Sequence, residues 1–201
     1  MKILAFSDLH RARVHAARLV EASKEADLVI AAGDFTNHRQ DLAGALALIS
    51  DISTPMVMVP GNNESEAELR AAAPNNAVVL HGEAHEFEGL KLFGLGYAVP
   101  VTPFKDWSCD LDEAEAAAML ANCDAADILI SHSPPKGVVD VASNGLSLGS
   151  TAVLDTIKRI APPLVVCGHI HDCWGQSAMV GDSRVMNLGP TGTWLDVTPQ
   201  N

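Results

Sequence analysis

An α/β fold of two packed, mixed β-sheets with helices on their outer faces is predicted by three features of the sequence. Short, wholly apolar runs alternate with stretches of helical periodicity, as they do where strands are buried on both faces. Up to residue 74 the order is strand–helix, repeated; beyond it, helices mix with hairpin-like strands, which calls for a second sheet. Finally, 201 residues that are 48% hydrophobic hold enough apolar surface for one core, so a single domain over 1–201 is expected.

Taken in order, 3–6 is a buried strand and 14–25 a helix with apolar residues at helical spacing. A strand at 28–32, a helix at 42–49 weakened by Gly44, and a strand at 56–59 follow. The Glu- and Ala-rich stretch 64–73 reads as a helix that stops at Pro74. Short strands are expected at 78–80, 86–88 and 90–94, with a turn at Gly89. Then come a helix at 111–122, a strand at 128–131, a helix at 150–160 and a strand at 164–167. The stretch 174–197, with turn signals at Gly181-Asp182 and Gly189-Pro190, reads as antiparallel strands. Between His132 and the helix at 150 lies one long aperiodic segment, 133–149, and loops of that length inside a domain are usually functional. It is expected to border a site, with free N–H groups at Gly149-Ser150 to favour anions.

Thirteen basic residues against 25 acidic ones give a formal charge of −12. Such a surface repels a nucleic-acid backbone, so duplex binding is not expected. No apolar run reaches the roughly 18 residues that span a bilayer. The opening Met1-Lys2-Ile3-Leu4-Ala5-Phe6-Ser7-Asp8 meets an acid too early for a secretory signal. With Cys109, Cys123, Cys167 and Cys173 read as reduced thiols, a cytoplasmic protein is expected.

The chemistry is expected at the carboxyl ends of the strands, where open α/β sheets bind ligands. Five strands end in metal-binding residue types: Asp8-Leu9-His10, Gly33-Asp34, Gly61-Asn62-Asn63-Glu64, Ser131-His132 and Gly168-His169-Ile170-His171. Singly, most of these are commonplace; a lone Asp-x-His is near noise and a Gly-Asp is often a turn. His15, His38, His81 and His85 receive that ordinary reading. Together the five supply two carboxylates, one amide oxygen and four imidazoles. Hard oxygen mixed with imidazole suits Mn, Fe, Zn, Ni or Co, and the lack of thiolate argues against a structural zinc cage. Seven ligands exceed the needs of one ion and suit two ions sharing a carboxylate.

In order and spacing these residues resemble the calcineurin-like metallophosphoesterase family, and the motifs run from residue 8 to 171. The tract 131–137 and the tail Asn187-Leu188-Gly189-Pro190 are similar to its small bacterial and archaeal branch. The resemblance implies a four-layer sandwich of two sheets between helices. It implies one ion held by Asp8, His10 and His171, a second by Asn62, His132 and His169, and Asp34 bridging both. It casts Asp34, Asn62, Asn63 and His132 as the catalytic set, with a hydroxide between the ions as nucleophile and a small phosphorylated molecule as substrate. One departure stands out. Asn63 occupies the place of the family's usual histidine, and an amide cannot yield a proton at neutral pH. That change tilts the expected substrate towards phosphodiesters. It also leaves an alternative, a metal-binding scaffold of the same fold that binds a protein partner with little turnover.

Overall fold

Strands β1 (Lys2–Phe6), β2 (Leu28–Ala31), β3 (Met56–Met58) and β4 (Ala77–Val79) lie parallel in one sheet of the computed structural model, which describes residues 1–198. Residues 199–201 of the expected 1–201 domain lie outside the described span. Helices α1 (Arg13–Ser23), α2 (Leu42–Ala47) and α3 (Glu66–Ala72) connect these strands. The second sheet holds β5 (Glu83–Phe87), β6 (Leu90–Leu95), β7 (Ile128–Ser131), β8 (Leu164–Cys167), β9 (Ser177–Val180) and β10 (Ser183–Asn187), in the order β5-β6-β7-β8-β10-β9. Helices α4 (Glu113–Leu120) and α5 (Thr151–Ile160) pair beside it. Strand β11 (Thr193–Asp196) returns to the first sheet, antiparallel to β1, giving β11-β1-β2-β3-β4.

Strand alternation sorts the side chains into three apolar interfaces. Ile3, Ala5, Leu28, Ile30, Leu92, Ile128, Ile130 and Val166 form the seam between the sheets. Leu4, Phe6, Val29 and Ala31 point the other way, onto Leu19 of α1, Leu46 of α2 and Leu69 of α3. Phe93, Leu129, Val165 and Val185 meet Ala116 and Leu120 of α4 and Val153 and Ile157 of α5. The result is four layers, helices–sheet–sheet–helices, as expected.

Several boundaries and one pairing differ from the sequence reading. The helix expected from 64 begins at Glu66, because Ser65 caps it in a reciprocal box with Glu68. The helix expected over 111–122 contracts to 113–120, since Asp112 and Glu115 form the same box. The strand expected at 86–88 runs from Glu83 to Phe87 instead; it is a mostly polar edge, so apolar alternation could not locate it. The tail is not simply antiparallel. β9 and β10 form a hairpin, but β10 lies parallel to β8, with Val185 opposite Val165. Among the described residues, no helix is long and apolar enough to cross a membrane, and all four cysteines are free.

Candidate metal centre

The carboxyl ends of β1, β2 and β3 from one sheet meet those of β7 and β8 from the other, and the strand-end motifs face one another there. Asp8, His10, Asp34 and His171 offer ligand atoms within 4.8 Å of one another, and so do Asp34, His132 and His169. Asp34 belongs to both groups. Its Oδ2 is 3.5 Å from His10 Nε2, and its Oδ1 is 3.5 Å from His132 Nε2. His10 and His171 bring their Nε2 atoms to 3.2 Å, and Asp8 Oδ1 lies 3.6 Å from His171 Nε2. Asn62 turns Oδ1 towards His132 Nε2 at 3.4 Å.

The backbone is bent to achieve this. Asp8, His10, Asp34 and His169 have φ of 52°, 44°, 63° and 66°, in the left-handed region that costs a non-glycine residue about 1–2 kcal/mol. Glycines beside them permit the close packing. A Cβ on Gly33 would stand 2.6 Å from Gly61 Cα and 2.7 Å from His132 Nδ1; one on Gly168 would stand 2.5 Å from Asp8 Oδ2.

Other groups fix the ligand atoms. His132 Nδ1 is 2.8 Å from the Ala32 carbonyl, and His10 Nδ1 is 3.0 Å from that of Thr36. Each ring donates there, which leaves the Nε2 lone pair facing the cluster. Ser7 Oγ, Trp174 Nε1 and the His169 N–H all donate to Asp8, and the Trp174 ring packs on His171 at 4.3 Å. Ser108 Oγ accepts from Asn62 Nδ2 at 2.9 Å, which decides which end of that amide faces the site.

Electrostatics follow from burial and crowding. Burial raises the Asp8 carboxyl, but the His171 hydrogen bond, the charge of His132 and the Ser7 hydroxyl outweigh it, so Asp8 lies well below the usual carboxylate range. Burial, then His132, pushes His169 down to about 4, so it is neutral at pH 7, as a metal ligand must be. Burial lowers His132, but Asp34 and Asp8 override it and the net shift is upward. Glu64, fully buried, is pushed up to about 7 by burial and then by Asp34, against the backbone N–H groups it accepts.

Among the residues singled out from sequence, Asp8, His10, Asp34, Asn62, His132, His169 and His171 are thus brought together. Asn63 joins them differently: its N–H and Nδ2 both donate to Asp34, at 2.9 and 2.7 Å, and its Oδ1 accepts from the His38 N–H. His81 has an ordinary structural place, with its ring nitrogen bonded to the Gly96 N–H. His38, given the same ordinary reading, instead lines the cleft over the site and packs on Trp107 at 4.3 Å. The segment 133–149 does border that cleft, through Ala142, Asn144, Leu146 and Leu148. Its expected anion-binding N–H groups are already used: Gly149 N–H binds Asp140, and Glu113 accepts from the Thr151 and Ala152 N–H groups at the start of α5.

Sequence reasoning passed over several supports. Glu64 accepts from the N–H groups of Asp34, Phe35 and Gly61, tying two ligand turns together. Asn187 donates to the carbonyls of Gly168, Ile170 and Val139, and so holds the His169–His171 turn. Glu64 and Asn187 were in view as parts of motifs; Trp174 and Ser108 carried no signal in the sequence.

The donor set fits divalent ions, since two buried carboxylates and four imidazoles converge and, among the described residues, no Lys or Arg lines the cleft there to neutralise them. Comparison with known proteins gives the same direction. The calcineurin-like phosphoesterase family model matches residues 1–173. A Caenorhabditis elegans relative, UPF0046 protein T07D4.2, is 31% identical over 104 residues, covering 50% of this chain and 26% of its own. The chain spans between a quarter and a third of the length of the first curated relatives it matches. TT1561 of Thermus thermophilus superposes with a TM-score of 0.72 at 19% identity, over 94% of this chain and 90% of its own. A dimetal phosphatase from Danio rerio does so at 0.63 and 15%, over 95% and 88%. The chain belongs to the calcineurin-like phosphoesterase family.

Proposed function

We propose that this chain hydrolyses phosphoric esters with two divalent ions, and that it takes phosphodiesters more readily than monoesters. The observation that carries the reading is Asp34, placed between two ligand groups with one oxygen towards each. Asp8, His10 and His171 would hold one ion, and Asn62, His132 and His169 the other. When bound, the ions would supply Lewis acidity for the phosphoryl group and an activated water. Mn, Fe, Co, Ni or Zn all suit these donors.

The chain's own residues do the positioning. The bonds from His10 to Thr36 and from His132 to Ala32 set the tautomers, and Glu64 locks the backbone around Asp34. Asn63 orients Asp34 and can donate a hydrogen bond to a phosphoryl oxygen, but it cannot supply a proton to a departing alkoxide. His38 is the imidazole on the cleft wall outside both ligand groups, and in this reading would take that role. A cytoplasmic setting belongs to the same reading, and four free cysteines support it.

Bis(4-nitrophenyl) phosphate and 4-nitrophenyl phosphate should both be hydrolysed after loading with Mn, the diester faster, and neither after chelation. Asp34→Ala should lose nearly all turnover and ion binding. Full activity in that variant, or in chelated protein, would overturn the reading.

A further inference from the structure

A cleft of about 840 Å³ opens beside the two ligand groups, a volume typical of small-molecule sites. Its floor carries His10, Asp34, His169 and His171. Its walls differ sharply from the floor. One is the segment 100–107, presenting Val101, Phe104 and Trp107; the other is 142–148, presenting Leu146 and Leu148. Phe104 stacks on Trp107 with ring centroids 5.1 Å apart, which stiffens that wall. Four of the ten large apolar side chains found exposed among the described residues are here: Val101 at 61%, Phe104 at 47%, Leu146 at 57% and Leu148 at 41%. Scattered exposed apolar residues are normal; a cluster lining a concave surface marks what the surface binds.

Charge narrows the choice further. Among the described residues, no Lys or Arg lines the cleft, whereas Asp172 does. Two cations stand nearby but off the lining: Lys136, which donates to the Ser147 carbonyl, and Lys105, in the 100–107 segment itself. A phosphoryl group on the floor has the ions to neutralise it. A second phosphate along the walls would find no cation among the lining residues, one facing acid, and a chain of net charge −12.

Resting on the function proposed above, we propose that the substrate is an ester with a single phosphoryl group and a bulky apolar organic substituent, which lies between the 100–107 and 142–148 walls. Nucleoside di- and triphosphates and sugar bisphosphates should bind more weakly by the same chemistry.

The test is binding rather than turnover. Linear alkylphosphonates from methyl to hexyl, which carry one phosphoryl group and no scissile ester, are titrated calorimetrically into Mn-loaded protein. Affinity should rise about fourfold per added methylene, with an increasingly negative heat-capacity change. Metal-free protein should bind each more weakly but keep the slope, because the slope comes from the walls. Hexane-1,6-diphosphonate, the same chain ending in a second anion, should bind more weakly than hexylphosphonate. The double variant Phe104→Ser, Leu146→Ser should lose most of the slope, whereas Val14→Ser, an equally exposed apolar residue on α1 away from the cleft, should keep it. A flat series, absence of binding, or preference for the diphosphonate overturns the proposal. A steep series in a protein that hydrolyses no ester would instead remove the hydrolase reading and leave the cleft assignment standing.

Discussion

Asn62 reaches the site with an amide whose two ends are chemically opposite, an oxygen that can ligate a cation and a nitrogen that cannot. Ser108 settles the choice by accepting from Nδ2 at 2.9 Å, while its own hydroxyl donates to Asp110 at 2.6 Å. Ser108 lies 46 positions from Asn62, in a segment that supplies none of the seven candidate ligands, so its part could not be read from the sequence. Ser108→Ala should weaken one of two calorimetric ion-binding events by about 10–100-fold, the event served by Asn62, and spare the other. Equal loss at both, or at neither, would show that Ser108 does not orient the amide. Asn63 was recognisable as a departure from the family pattern, but its bonds to Asp34 and His38 were not. If its cost is a missing proton donor, Asn63→His should raise kcat on alkyl phosphates more than on aryl phosphates, whose leaving groups need no proton. A change in KM alone, shared by both ester classes, would mean that Asn63 acts only as a clamp on Asp34.

At the scale of elements, the buried strands were placed correctly, whereas two helix starts set by capping boxes and the polar strand β5 were not. The runs 3–6, 28–32, 128–131 and 164–167 became central strands because both of their faces are buried, which leaves a continuous apolar signal. The remaining failures depended on partners far away in the chain. The parallel pairing of β10 with β8 is set by a crossover, and the return of β11 to β1 by the whole topology. The start of α5 is the clearest case. Its N–H groups looked free, yet Glu113, at the first turn of α4, accepts from Thr151 and Ala152 and from the Ser150 hydroxyl. One carboxylate therefore ties the starts of two packed helices. Burial raises Glu113, but the N–H groups of Ala152 and Thr151 outweigh it, so its folded pKa lies below the ordinary value. A lowered carboxylate contributes stability above its unfolded pKa and loses it as pH falls through the folded one. Glu113→Gln should then cost about 1 kcal/mol near neutrality, read as a lower urea midpoint with an unchanged m-value. The gap from the parent should close on acidification. A gap that persisted at pH 3 would assign the loss to packing instead.

For the molecule as a whole, the site joins the two sheets. Asp8, His10, Asp34 and Asn62 come from the ends of β1, β2 and β3, whereas His132, His169 and His171 come from β7 and β8, across the apolar seam. Without ions, Asp8, His10, Asp34 and His169 still hold a left-handed backbone, a strain that opposes folding. Ions that bind only the folded arrangement shift its stability by mass action. One ion at a hundredfold its Kd adds about 2.7 kcal/mol, and for a chain of this size each kcal/mol moves Tm by about 2–4 °C. Saturating a single site should therefore raise Tm by about 5–11 °C, and saturating both should raise it further. Because Asp34 serves both groups, Asp34→Ala should abolish the metal-dependent increment, including the part due to the ion it does not principally hold. Its metal-free Tm should fall, since the Asn63 N–H and Nδ2 lose their buried acceptor. Scanning calorimetry of parent and variant, chelated and loaded, separates these effects. If the ions stabilised Asp34→Ala as much as the parent, Asp34 would not bridge the two groups, and each ion would join the sheets through its own three ligands.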